Sequence, residues 1–289
     1  MSIRNLRTLV AIKDHGSFAA ASQALGLTHS AVSMQVKMLE ESYGARLFDR
    51  SERPPRLTEP GEAIVQRARE VLALYDGLPG VVGANSDVHG VLKVGVIPTA
   101  LTGIAPRVLS ELRRIYPSLQ IQLSSAMSGD LLDMVRRTEL DVALQSEPIS
   151  VPKDLKWTGV LQQKVVVVAP PGLRARRDVE VLSAWPYIRF NRRSWIAPLI
   201  AGALRERGLD LDEAMELDSL EAIYMMVQAG LGVSIIPDSG PFSPFRPDVR
   251  ILPFGPPPIQ RWIGFLSKKA PVKDKIIAAL IDAARTALG

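Results

Sequence analysis

Ser30, Ser33, Met34 and Lys37 stand at i, i+3, i+4 and i+7 of one stretch. On a helix that spacing puts them on a single face. The face offers two hydroxyls, a flexible thioether and one cation. A face of this kind can enter a major groove, hydrogen-bond to base edges and touch a thymine methyl. An ordinary solvated helix face reads the same way. Shortly after, Arg50, Arg53 and Arg56 cluster in RSERPPR, where Pro54 and Pro55 forbid a helix. Three guanidinium groups on a non-helical turn suit phosphate oxygens. The alternative is a solvated basic loop, its charge softened by Asp49 and Glu52.

The elements that must position these residues are legible around them. Ile3, Leu6, Leu9 and Val10 recur at helical spacing, and Gly16 stops that helix. Ser17 is a good N-cap for a short helix from Phe18 to Leu25, with Phe18, Ala21 and Leu25 turned inward. Gly26 and Leu27 form a tight turn. Thr28 then caps a third helix to about Tyr43, whose inner face is Val32, Val36, Leu39 and Tyr43. Two short helices across a glycine turn make a helix-turn-helix, and the arginine turn beside it reads as a wing.

Thr58 is the next N-cap, with Glu59, Pro60 and Glu62 suited to a first turn. Ile64, Ala68, Val71, Tyr75 and Leu78 then step by 4, 3, 4 and 3. That narrow seam suits a partner helix, or packing on the protein's own core. Groove-reading domains usually work in pairs, which favours dimerisation. Gly77, Pro79, Gly80 and Gly83 should end this helix, and Asn85 to Gly90 reads as a boundary.

From Val91 onward strands and helices alternate, which implies a parallel α/β sheet. Strands are expected at 91–97, 119–125, 141–145, 163–170, 187–190, 232–237 and 261–266. Helices are expected at 104–116, 130–138, 197–207, 219–229 and 272–288. Open α/β sheets bind ligands beyond the carboxyl ends of their strands. Three loops meet that description: Pro98-Thr99-Ala100, Ser128-Gly129-Asp130 and Phe190-Asn191-Arg192. Thr99 and Ser128 offer hydroxyls, Arg192 or Arg193 a cation, and Phe190 a flat apolar wall. Gln145 ends another strand. Helix capping alone would also place Thr, Ser and Asp there.

Composition narrows the function classes. The 289 residues carry a net charge of +5, with 47% apolar and 22% charged residues. That suits two or three folded units and an anionic partner. Cysteine is absent, which excludes disulfides, thiol catalysis and thiolate metal sites. The histidines are His15, His29 and His89, so the last two thirds hold no Ser-His-Asp triad and no histidine metal site. We expect no catalytic residues, no metal and no cofactor. There is no run of eighteen apolar residues and no secretory leader pattern. The glycines of GLGVSIIP lack the dinucleotide-binding spacing and read as structural.

The stretch GSFAAASQALGLTHSAVSMQVKMLEESYGARLFDRSERPPRLTEPG resembles the N-terminal region of the LysR-type transcriptional regulators almost throughout. The remainder resembles that family more loosely. The resemblance implies a winged helix-turn-helix at 1–60, a dimerising linker helix and hinge at 61–90, and a two-lobed α/β effector domain at 91–289, similar to periplasmic binding proteins. Lobe I would comprise about 91–161 and 265–289, lobe II about 162–264. It implies that Thr28, His29, Ser30, Ser33, Met34 and Lys37 read bases and that Arg50, Arg53 and Arg56 form the wing. It implies an effector cleft at Thr99, Ala100, Ser128, Gln145, Phe190, Asn191 and Arg192. The expected partners are double-stranded DNA with an interrupted palindromic operator, a small organic or aromatic acid as effector, a second copy in a homodimer or homotetramer, and RNA polymerase. No membrane partner is expected, and the expected compartment is the cytoplasm. A solute-binding protein for transport or sensing would explain residues 91–289 but not the first ninety.

Overall fold

A computed structural model describes residues 2–52, 54–78, 90–238, 240 and 248–288. The chain forms two compact units, Met1–Ser86 with Arg137–Glu139, and Asp87–Arg136 with Leu140–Gly289.

The first unit opens with α1 (Ile3–His15), α2 (Phe18–Leu25) and α3 (His29–Tyr43). Ser2, Ser17 and Thr28 cap their N-termini through side-chain oxygens, and Gly16, Gly26 and Gly44 close their C-termini in the left-handed conformation. Two short strands, β1 (Phe48–Asp49) and β2 (Arg56–Leu57), pair antiparallel as a wing. Then α4 (Glu59–Gly77) runs back under Thr58, whose side chain accepts from Gly61 N–H. A Cβ at Gly61 would lie 2.2 Å from the Leu47 carbonyl oxygen, so only glycine lets α4 start against the wing. One core holds the unit together: Leu6, Leu9 and Ile12 of α1, Ala21 of α2, Val32, Val36 and Leu39 of α3, Leu47 and Phe48, and Val65, Ala68 and Leu72 of α4.

Two expectations need correction here. Tyr43 does not face the core; it is 41% exposed. Ala68 is buried in the unit's own core, so it is unavailable to a partner helix, while Val71, Leu74, Tyr75 and Leu78 form an exposed stripe on the other side of α4. An α-helix repeats every 3.6 residues, and one α4 face is claimed by α1. Gly77 is the last residue of α4. Most of the expected hinge after it lies outside the described residues.

The second unit is a mixed sheet rather than a purely parallel one. Strands β3 (Gly90–Val96), β4 (Leu119–Ser125) and β5 (Val142–Ser146) run parallel in the order β4-β3-β5. The helices α5 (Pro98–Leu101), α6 (Ala105–Ile115) and α7 (Ser128–Arg136) connect them. Beside β5 lies the antiparallel β11 (Gln260–Lys268), and beside that β6 (Leu155–Ala169). Strand β6 is far longer than expected. Its first half, with Gly159, Gln162 and Gln163, lacks a continuous apolar run, and pairing with β11 holds it extended.

The far end of β6 pairs with β9 (Ser234–Pro237) and β10 (Arg250–Pro253). There a second core gathers, with α8 (Asp178–Leu182), α9 (Ala197–Glu206) and α10 (Leu220–Gln228) around it. A parallel pair, β7 (Tyr187–Phe190) and β8 (Glu213–Leu217), completes it. Strand β8, EAMEL, was not expected from its sequence because glutamate is depleted in strands. Helix α11 (Asp274–Leu288) packs on the first core beside α6. The unit is therefore two lobes with separate cores, joined by β6 and β11. Where these strands cross between lobes the register shifts at Ile263/Gly264, and a Cβ at Gly264 would meet the Thr158 carbonyl at 2.2 Å.

Candidate functional site

On the first unit, an open groove is lined by Ser17, Phe18 and Ala19 at the start of α2, by His29, Ser30, Ser33, Met34 and Lys37 on α3, and by Arg50, Glu52, Pro54 and Pro55 on the wing. Five of the six expected base-reading residues share that surface. Thr28 stands beside it as the α3 cap, its Oγ1 accepting from Ala31 N–H at 3.2 Å and lying 3.0 Å from Ser30 Oγ. Met34 is 59% exposed, so its thioether end is open to a partner. Lys37 lies 3.7 Å from Glu41 in an exposed pair worth little.

Glu40 was not expected, and it organises the wing. One carboxylate oxygen accepts from Leu47 N–H at 2.8 Å and Phe48 N–H at 3.3 Å; the other holds Arg50 at 3.1 Å. Phe48 then packs edge-on to Phe18, with ring centres 4.8 Å apart. Arg56 pairs with Glu52 at 2.7 Å and stays 77% exposed. Arg53 lies outside the described residues. Each described wing arginine thus carries a carboxylate partner that orients it.

On the second unit, a narrow cleft opens between the lobes at the carboxyl ends of β3 and β5. Lobe I contributes Ile97, Pro98 and Thr99, Met127 and Ser128, and Ser146. Lobe II contributes Phe190, Ser194, Trp195 and Asp218. Arg261, at the start of β11, forms part of the lining between them. Of the seven expected effector residues, Thr99, Ser128 and Phe190 meet here.

The other four do not. Ala100 is buried in the lobe I core. Gln145 is fully buried, but side chains alternate across a strand, so Ser146 takes the cleft side and Gln145 the opposite one. Asn191 spends its side-chain oxygen on Arg193 N–H at 2.8 Å. Arg192 is neutralised by Glu216 at 2.7 Å and Glu213 at 2.6 Å, both on β8. The unexpected strand β8 is what removes Arg192 from the cleft.

The cation of the cleft is Arg261, 8% exposed. It sits opposite Gln163 in the β11–β6 register, and its Nε and Nη2 both donate to Gln163 Oε1 at 3.1 and 2.8 Å. Nη1 donates to Ser146 Oγ and Nη2 to Thr99 Oγ1, each at 3.0 Å. Its place at a strand start, next to a glutamine, gave no periodic signal that sequence reading could use. Across the cleft mouth, Arg193 lies 3.6 Å from Asp130 in an exposed pair between the lobes.

Comparison with known proteins agrees with this layout. Residues 3–62 match the family of bacterial regulatory helix-turn-helix proteins of the lysR family, and residues 85–289 match the LysR substrate binding domain. The chain belongs to the LysR family of transcriptional regulators. A probable RuBisCO transcriptional regulator of Cyanidioschyzon merolae is 31% identical over 248 residues, covering 81% of each chain. The HTH-type regulator CzcR of Bacillus cereus is 28% identical, covering 83% of this chain and 81% of its own. Full-length OxyR from Pseudomonas aeruginosa superposes with a TM-score of 0.77 at 25% identity, over 99% of this chain and 98% of that one. CbnR in complex with its target DNA shares the fold, with a TM-score of 0.66 at 21% identity, over 99% of this chain and all of that one. This LysR-family protein is accordingly a DNA-binding transcription regulator with an effector-binding domain. No helix among its described residues is long and apolar enough to cross a membrane.

Proposed function

We propose that this LysR-family regulator reads an interrupted palindromic operator as a homodimer or homotetramer in the cytoplasm, and that a small organic or aromatic acid bound between the lobes controls it. The observation that carries the reading is the groove on the first unit. There the hydroxyls of Ser30 and Ser33, the methyl end of Met34 and the cation of Lys37 share one surface with wing residue Arg50. Ser30, Ser33, Met34 and Lys37, with Thr28 and His29 at the helix start, are the base-reading set. Arg50, Arg53 and Arg56 grip phosphates. The exposed stripe Val71, Leu74, Tyr75 and Leu78 on α4 is a self-complementary surface for a second copy, which would set two recognition helices one half-site spacing apart. A DNA-bound dimer also offers its outer surface to RNA polymerase.

The test is fluorescence anisotropy of the full chain on DNA upstream of its own gene and on shuffled DNA. Specific binding should be tighter by about a thousandfold and fall steeply with salt. Equal affinity for the two DNAs would overturn the reading. A small acid that shifts operator affinity would support the control half; a broad panel that leaves it unchanged would remove that half.

A further inference from the structure

We propose that the cleft between the lobes selects small acids bearing a single carboxylate, with Arg261 as the group that binds the carboxylate and Asp218 as the group that refuses a second one. This rests on reading the cleft as the effector site and specifies what it admits.

Arg261 is 8% exposed, yet every acceptor it uses is neutral: Gln163, Ser146 and Thr99. No carboxylate pairs with it among the described residues. A guanidinium has five N–H donors. Nε spends its one and Nη2 both of its own, while Nη1 makes a single bond, so one donor is left over. Burial pushes this guanidinium down to about 9, which still leaves it protonated at neutral pH. A buried charge without a counter-ion is an uncompensated desolvation cost. An anion entering the cleft would relieve that cost, and it would find the hydroxyls of Thr99, Ser128 and Ser146 around the same corner.

The rest of the lining limits the anion. Among the described residues Arg261 is the lone cation lining the cleft, so one negative charge is matched and a second is not. Asp218 on the opposite wall is exposed and pairs with no cation among the described residues, so a second carboxylate would meet a like charge. Phosphate-like dianions fail on the same ground. Phe190 and Trp195 supply apolar walls for the remainder of the ligand. The cleft is narrow, which limits the ligand to a small acid.

The experiment is a thermal-shift and calorimetric panel on the full chain, with operator binding read in parallel. The probes are benzoate, phenylacetate, 4-hydroxybenzoate and pyruvate, the amides benzamide and phenylacetamide, and the dicarboxylates phthalate and succinate. At least one monocarboxylate should bind, about tenfold or more tighter than its amide, because an amide cannot satisfy the charge. R261Q should abolish that binding, and D218N should admit the matching dicarboxylate. The proposal is overturned if no monocarboxylate binds, if an amide binds as well as its acid, if a dicarboxylate binds the unaltered chain as tightly, or if R261Q keeps the response. Should R261Q fail to fold, the acid and amide comparison on the unaltered chain decides alone. A neutral or dianionic ligand that changes operator affinity would sink this proposal and leave the effector reading standing. A monocarboxylate bound through Arg261 without effect on operator affinity would do the reverse.

Discussion

Arg261 Nη2 donates to Thr99 Oγ1 across 3.0 Å, joining the start of β11 to the short helix α5 after β3 although 162 residues separate them in the chain. Thr99 is 6% exposed, so its hydroxyl is an acceptor for a buried charge, and its place at the head of α5 is secondary. Removing it should therefore be felt in stability as well as in binding. Thr99→Val keeps the volume and deletes the acceptor. Hydrogen bonds to charged groups contribute about 1.5–3 kcal/mol, so urea unfolding should show a loss near the lower figure. A loss under about 0.5 kcal/mol would mean water replaces the hydroxyl and the contact holds nothing.

Glu40 fixes the wing from inside. Glu40→Gln keeps an acceptor for the Leu47 and Phe48 N–H groups but gives up the charge that holds Arg50 at 3.1 Å. Losing one such oriented contact is a change of about 1 kcal/mol, or about fivefold in affinity. Operator and shuffled DNA should weaken together in anisotropy titrations. A change confined to the operator would instead make Glu40 part of base reading.

The division between phosphate and base contacts can be checked with two substitutions. Arg56→Ala should weaken binding to all DNA and reduce the salt slope by about 0.9, the value for one phosphate contact. Ser33→Ala should leave the slope alone and change preference at one base pair by about 1–3 kcal/mol. If both variants alter the slope alike, the face of α3 does not read bases.

The stripe on α4 makes a prediction about assembly. Tyr75 is 49% and Val71 43% exposed, while Ala68 beside them is already in the core. Tyr75→Glu should shift the chain toward monomer in analytical ultracentrifugation and leave its unfolding cooperative. Ala68→Glu should unfold the unit outright, because it buries a charge. An unchanged sedimentation coefficient for Tyr75→Glu would move the interface elsewhere.

Lobe II carries its own pH dependence. Burial alone would raise the Asp178 carboxyl, but the Arg207 guanidinium at 2.7 Å and the Gly255 and Val179 N–H groups overcome it and hold it below the usual carboxylate range. A depressed carboxylate stabilises the fold fully above its unfolded value, about 3.9, and loses that contribution as pH falls through the lower folded value. Asp178→Asn should cost about 3 kcal/mol at neutral pH, as breaking a buried pair does. The difference between variant and parent should shrink below about pH 4. An equal deficit at pH 3 and pH 7 would show that packing, and not the ion pair, was lost.

The sequence by itself determined the local elements of the first unit. The caps Ser17, Thr28 and Thr58, the stops Gly16 and Gly26, and the paired prolines of the wing act over a few residues, so their meaning can be read in place. It likewise marked the strand ends at Thr99 and Ser128, because apolar runs and caps are local patterns. Tertiary structure decided everything that depends on which strands lie side by side. It turned Gln145 away and Ser146 inward, gave Arg192 to the glutamates of β8, and brought Arg261 to Thr99 from the far end of the chain. It also split the α4 seam, burying Ala68 and leaving Tyr75 bare. Periodicity shows that a residue has a face but not what that face meets. Charge pairing and strand register are long-range, and they are settled only when the chain has closed on itself.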